Sequence, residues 1–292
     1  MTETRTALVA TDLDRTMIYS AAALAEGRAA GQPDDEVCCV EYYEGAPLSF
    51  MTTRAADLLT TLASEAVVVP TTTRTVEQFR RIALPGAPWP HAITTNGATI
   101  LVDGEPDLDW RRAVDDAVAG SAVPLAEVTA EMTRRGDDSW VLKQRTADDL
   151  FCYLVVNTET MPEGFVDEFA HWCTERGWGV SRQGRKVYAM PDAVCKSHAV
   201  AEVRRRCVTA GMLDAGAPVL AAGDGALDAE MLRSATAAIR PRHGELELLQ
   251  WDAPGLVVTE RSGGTASEEI LHWFRAMALT SGTAAAPPTH VR

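Results

Sequence analysis

No stretch of this chain approaches twenty consecutive apolar residues, and Met1-Thr2-Glu3-Thr4-Arg5 leads straight into an expected strand without the apolar segment of a secretory signal. Neither a membrane-spanning helix nor export is expected. Positive charge is scarce too: 27 Lys and Arg stand against 41 Asp and Glu, a net charge of -14. Nucleic acid and anionic membrane surfaces both demand clustered basic residues, so neither is expected as a partner, and an anionic ligand must be held locally. The six cysteines, Cys38, Cys39, Cys152, Cys173, Cys195 and Cys207, include no C-x-x-C pair and no metal-finger spacing. Free thiols in a reducing, cytoplasmic compartment are expected rather than a disulfide framework.

What the chain does have is length and alternation. At 292 residues it exceeds the usual single domain, so either one large domain or a core carrying a smaller insert is expected. Apolar runs and turn residues predict a strand over 6–11, a helix over 52–64, a strand over 66–71 and a helix over 76–83. Strand followed by helix, twice, predicts a parallel sheet. A short strand over 91–95 ends at the turn dipeptide Asn96-Gly97, a further apolar run covers 98–102, and Asp103-Gly104 makes another turn.

From about 109 to 190 the pattern becomes a polar amphipathic helical stretch, strands over 140–143 and 151–156, a helix over 162–176, and strands over 179–181 and 186–190, which together predict a separate α+β unit. The parallel pattern resumes with a helix over 196–210, a strand over 218–222, the turn Gly223-Asp224-Gly225, a helix over 227–234 and a last strand near 255–258. The expected division is a core of 1–104 and 191–280, an inserted unit of 105–190, and a disordered tail of 281–292.

Two clusters carry chemistry. The run Val9-Ala10-Thr11 delivers Asp12 and Asp14 at a strand end, on one side if the period-2 rule extends to them, and like charges that close call for a cation. The run Leu220-Ala221-Ala222 likewise ends in Gly223-Asp224, with Asp228 one helical turn on. Active sites of parallel sheets lie outside the carboxyl ends of the strands, so Asp12, Asp14 and Asp224 are expected to converge there, an oxygen set suited to Mg²⁺ and a substrate phosphate.

In these motifs the chain resembles the haloacid dehalogenase superfamily of aspartate-nucleophile phosphatases. Asp12-Leu13-Asp14-Arg15-Thr16 is similar to the first motif, D-x-D-x-T; Thr71-Thr72-Thr73-Arg74 to the second; Lys196 to the third; and Gly223 to Asp228 to the fourth, G-D-x-x-x-D. The resemblance implies a Rossmann-like α/β core with helices on both faces and an inserted C2-type cap like those of sucrose-phosphatase-like and Cof-like members. It implies Asp12 as nucleophile, Asp14 as acid and base, and Thr72 and Lys196 on the phosphoryl oxygens. Mg²⁺ would be held by Asp12, the main-chain carbonyl of Asp14, and Asp224; Asp228 would be a ligand through water or a brace for Lys196.

The implied activity is hydrolysis of a small phosphorylated metabolite, with a phosphotransferase or phosphomutase and a non-catalytic binding module as alternatives. Thr71 or Thr73 competes for the role given to Thr72, and Arg185 or Lys186 for that of Lys196. Arg74 and Asn96 stand where similar proteins contact substrate, although Asn96-Gly97 is also a plain turn. The basic cluster Lys143, Arg145, Arg182, Arg185 and Lys186 reads either as a grip on the leaving group or as solvated strand-edge decoration. His198 and His243 read as surface or core residues.

Three departures from the family pattern stand out: Arg15 replaces the commoner Gly, Leu227 replaces the usual Asn, and a long insertion, 17–51, follows the first motif. It is too long for a plain hairpin flap and is expected to shape the substrate pocket.

Overall fold

The computed structural model describes residues 4–27 and 36–283. In chain order the elements are β1 (Leu8–Thr11), α1 (Ala21–Leu24), β2 (Val37–Tyr43), β3 (Ala46–Thr52), α2 (Thr53–Glu65), β4 (Val67–Pro70), α3 (Val76–Phe79), β5 (His91–Thr94), β6 (Thr99–Val102) and β7 (Glu105–Pro106). There follow α4 (Leu108–Ser121), α5 (Leu125–Arg135), β8 (Val141–Ala147), β9 (Phe151–Val156), α6 (Phe165–Thr174), β10 (Trp178–Gln183) and β11 (Lys186–Pro191). The chain closes with α7 (Lys196–Thr209), β12 (Val219–Ala222), α8 (Ala229–Ser234), β13 (Ala237–Arg240), α9 (Glu245–Leu248), β14 (Leu256–Val258) and α10 (Gly264–Thr283).

Five strands form one parallel sheet in the order β14-β13-β12-β1-β4. A sheet buried on both faces needs apolar residues in both phases of the strand. In β1 and the residue before it, Ala7 and Val9 enter a cluster with Leu59 and Leu62 of α2 and Ile270 and Phe274 of α10. Leu8 and Ala10 face the other way, onto Ala199 and Val203 of α7 and Met231 and Leu232 of α8. Strand order reverses between β1 and β12, so the crevice at their carboxyl ends is where such a sheet presents its site.

The second unit is an antiparallel sheet, β10-β11-β9-β8, with its own apolar cluster built from Val128 and Met132 of α5, Phe165 and Phe169 of α6, and the inward residues Leu154 and Val187. The sequence predicts one helical stretch at its start. There are two helices, because Pro124 has no N–H to continue the ladder and holds Val123 out of helical backbone. Residues 105 and 106, assigned from sequence to this unit, instead form β7 and pair with β6.

The insertion after the first motif folds partly into the hairpin β2–β3, with residues 28–35 outside the described ones. The hairpin also explains why α3 stops at Phe79 rather than at 83: Ala83 N–H donates to Val40 O at 2.7 Å, and Ile82 bridges to Glu41. β13 and α10 were not predicted. Residues 281–283, expected in the tail, continue α10, and 284–292 lie outside the described residues. All six cysteines are free, and no helix among the described residues is long and apolar enough to cross a membrane.

Candidate active site

β1 ends at Thr11, and Asp12 follows with its N–H bonded to Ala222 O at 2.9 Å. That bond ties the end of β1 to the end of β12 and brings Asp12 beside Asp224. Asp12, Asp224 and Asp228 each place a carboxylate oxygen within 4.8 Å of the others, all three side chains buried. Into the same cluster Lys196, the first residue of α7 and fully buried, sends its Nζ 2.6 Å from Asp12 Oδ1 and 2.6 Å from Asp228 Oδ1.

Two glycines make the approach possible. A Cβ on Gly97 would lie 2.4 Å from Cys195 O, so the turn that ends β5 packs against the residue that opens α7 and presents Lys196. A Cβ on Gly223 would lie 2.4 Å from the Asp228 side chain. Asp228 is thereby held flat against the β12 turn, where its Oδ2 accepts from Gly225 N–H at 2.9 Å. Its Oδ1 is the one that accepts from Lys196, so each carboxylate oxygen of Asp228 has a protein partner.

Crowding out of water sets the protonation of Asp12 and Asp224. Burial pushes the Asp12 carboxyl up to about 7, with the charges of Asp228 and Asp14 adding to the rise and Lys196 opposing it. Burial and the neighbouring Asp12 and Asp228 likewise push Asp224 well above the usual carboxylate range. Burial disfavours the Lys196 charge, but the two aspartates override it and hold the ammonium protonated.

Asp14 does not share this cluster. Asp12, Leu13 and Asp14 lie beyond the strand, where the period-2 rule has no hold, and the half-exposed Asp14 carboxylate turns to Arg74. Arg74 grips it in bidentate fashion, Nε to Oδ2 at 2.7 Å and Nη2 to Oδ1 at 2.8 Å. Burial alone would raise Asp14; the Arg74 hydrogen bonds and charge outweigh it and hold the carboxyl below its ordinary range. Arg74, expected on substrate, is therefore engaged with Asp14 and, through Nη1 at 2.7 Å, with Glu41.

Among the three threonines at the end of β4, Thr71 donates its hydroxyl to Val69 O at 2.9 Å and Thr73 engages Tyr188. Thr72, fully buried, accepts from Arg74 N–H at 3.2 Å, and among the described residues its own proton has no protein acceptor. Asn96 takes a left-handed backbone (φ 55°) and donates Nδ2 to Val194 O at 3.0 Å, bracing the approach to α7, while its buried Oδ1 has no partner. Its role as a turn and brace is the one the contacts support.

Register in the antiparallel sheet sorts the basic residues. Lys143 pairs across to Val155 and on to Lys186, and Arg145 across to Tyr153 and on to Tyr188, so these share one face. That face meets the core: Ser181 Oγ donates to Glu245 at 3.2 Å, and Tyr188 reaches Thr73. Burial lowers Lys186, with the charge of Arg74 adding and that of Asp14 opposing, which places its ammonium beside the acid–arginine pair. Lys143 stands exposed on the same face, roughly 10 Å away at two strand spacings. Arg182 pairs with Val187 and therefore points to the opposite face, away from the acids. Tyr153 and Tyr188, with ring centroids 5.4 Å apart and Lys186 Nζ 5.6 Å and 6.0 Å from them, were not singled out from sequence; only the register reveals them.

Arg15 has φ 62°, the left-handed backbone that explains why Gly is the commoner residue there. Its side chain reaches Glu26 at 2.7 Å and Asp224 Oδ2 at 3.5 Å, and its carbonyl accepts from His243. His243 is thus a buried structural residue.

No family model and no curated protein matches the chain. Solved structures do. The sucrose-phosphatase of Synechocystis, determined with sucrose and phosphate, matches with a TM-score of 0.63 at 14% identity over 93% of this chain and 98% of that one. A trehalose-6-phosphate phosphatase related protein matches at 0.52 and 15%, over 95% and 100%. A subclass IIB sugar phosphatase of the haloacid dehalogenase superfamily matches at 0.51 and 12%, over 92% and 99%. The chain shares the fold of these solved structures, a parallel-sheet core with a smaller antiparallel α+β unit.

Proposed function

We propose that the protein is a Mg²⁺-dependent phosphomonoesterase that hydrolyses a small, sugar-phosphate-like metabolite through an aspartyl-phosphate on Asp12. The observation that carries this reading is the buried cluster of Asp12, Asp224, Asp228 and Lys196 at the strand-order reversal, with Thr72 and the Asp14–Arg74 pair at its rim. The donor set fits a hard divalent cation: Asp12 keeps Oδ2 free of Lys196, Asp224 faces it from β12, and the crowding that raises both carboxyls is relieved by positive charge. Asp12 and Asp224 would hold the ion, with Asp228 fixing Lys196 rather than binding directly. When bound, Mg²⁺ supplies charge against the phosphoryl oxygens.

The residues then divide the chemistry. An Asp12 oxygen attacks phosphorus as the ester P–O bond breaks, and the leaving oxygen takes a proton from Asp14. In the second half water attacks phosphorus, Asp14 accepts its proton, the Asp12–phosphorus bond breaks and phosphate departs. Arg74 holds Asp14 ionised before substrate arrives, so the dianionic phosphate entering beside it is what favours the protonated, acid form. Lys196 and the Thr72 hydroxyl orient the phosphoryl oxygens. The cap face, with Tyr153, Tyr188 and Lys186, closes over the leaving group and excludes water; an aromatic pair beside an ammonium suits a polyol ring with apolar and hydroxyl faces.

A phosphate-release screen over sugar, polyol and nucleoside phosphates, with Mg²⁺ or with EDTA and with Asp12→Asn as the blank, tests the reading. Mg²⁺-dependent release by the wild type alone supports it; release that persists in Asp12→Asn, or none from any substrate, refutes it.

A further inference from the structure

Glu41 is a charged residue buried in the hairpin, with a side chain that is 0% exposed. It sits at an irregularity of the β2–β3 pairing, where the register shifts on both sides of it, and such a bulge re-aims a side chain. The side chain it re-aims reaches the rim of the site. Its Oε2 accepts from Ser49 at 2.6 Å and from Arg74 Nη1 at 2.7 Å, and its Oε1 accepts from Arg81 at 3.3 Å. The remaining nitrogens of Arg74 hold both oxygens of Asp14. One planar guanidinium is thus fixed between two carboxylates, one from the insertion and one from the first motif.

We propose that Glu41 is a positioning residue: acting through Arg74, it sets the orientation of the Asp14 carboxylate, so the insertion after the first motif takes part in the reaction without touching substrate. The inference rests on Asp14 being the acid and base. Asp14 lies on no regular element and precedes a left-handed residue, so its backbone alone does not fix its side chain. Arg74 fixes it only while its own plane is fixed, and an incoming phosphate dianion competes for the same guanidinium. Glu41, anchored by the Ile82 bridge and by Ser49, holds Arg74 back from that competition.

The test is steady-state kinetics of the full chain with Mg²⁺ and p-nitrophenyl phosphate, comparing Glu41→Gln, Arg74→Ala and the double variant. A displaced acid–base group costs turnover rather than binding, so Glu41→Gln is expected to lower kcat about 10- to 100-fold with KM within about threefold. The double variant is expected to be no slower than Arg74→Ala. A kcat within twofold of wild type, or losses that multiply in the double variant, overturns the proposal. Should Glu41→Gln fail to fold, Ser49→Ala and Arg81→Ala each remove one Glu41 contact and are expected to lower kcat severalfold at unchanged KM; unchanged kcat in both overturns it. An inactive wild type overturns the phosphatase reading along with this one, whereas an active wild type with an unaffected Glu41→Gln overturns this one alone.

Discussion

Replacing Lys196 with Met removes the fully buried cation that bridges Asp12 and Asp228 while keeping the length of the side chain. At 2.6 Å and an effective dielectric near 20, each Lys196–carboxylate contact is worth roughly 6 kcal/mol of attraction, most of it offset by the cost of burying the ammonium. The net cost of removing one partner from a buried ionic group is about 3–5 kcal/mol, because the partners left behind stay buried and unpaired. Here three acids are left facing one another. For a chain of this size that corresponds to a fall of roughly 6–10 °C in unfolding temperature, measured by scanning fluorimetry in EDTA. The more negative cluster also binds a divalent cation more tightly, so Mg²⁺ is expected to raise the midpoint of Lys196→Met by more than that of the wild type. A loss of under about 1 kcal/mol in EDTA, or a Mg²⁺ response no larger than wild type, would refute the reasoning.

Two further outcomes follow from the same geometry. Arg15→Gly removes a positive charge 3.5 Å from Asp224 Oδ2, and is expected to tighten Mg²⁺ binding about fivefold by titration calorimetry, corresponding to about 1 kcal/mol for a partly exposed charge; unchanged affinity would show that Glu26 already draws Arg15 off the site. Glu202 is held down to about 2, chiefly by its Arg205 hydrogen bond, with Arg206 adding and burial opposing, and Arg206 in turn holds Asp107 at the start of α4. A depressed carboxyl stabilises the fold above its ordinary range near 4.5 and loses that contribution as pH falls toward 2. Glu202→Gln should therefore cost about 1 kcal/mol at pH 7 and progressively less below pH 4.5 in urea titrations, whereas an equal cost at both pH values would contradict the ion-pair account.

The parts of the site legible in the sequence are those set by local structure. Asp12, Asp224 and Thr72 each sit where an apolar run ends, and a parallel sheet gathers strand ends whatever its loops do. Lys196 opens a helix and is found by its order in the chain. The illegible parts depend on register and on long-range packing. Arg182 and Lys186 look alike as basic strand residues, and only the pairing of Arg182 with Val187 shows that they point to opposite faces. Glu41 reads as one more acid of an acidic insertion; its burial comes from a bulge and from partners on β3 and on the segments flanking α3, none of which leaves a periodic signal. β13 was missed because Ala237-Ala238-Ile239-Arg240 has little β-branched or aromatic content and is a strand through its neighbours β12 and β14.

Trapping the covalent intermediate tests the central claim most directly. Acid-quenching the wild type in mid-turnover and mapping peptides by mass spectrometry is predicted to find one phosphoryl group on the peptide carrying Asp12, absent from Asp12→Asn. A phosphoryl group on another residue, or turnover with none trapped on Asp12, would contradict the account.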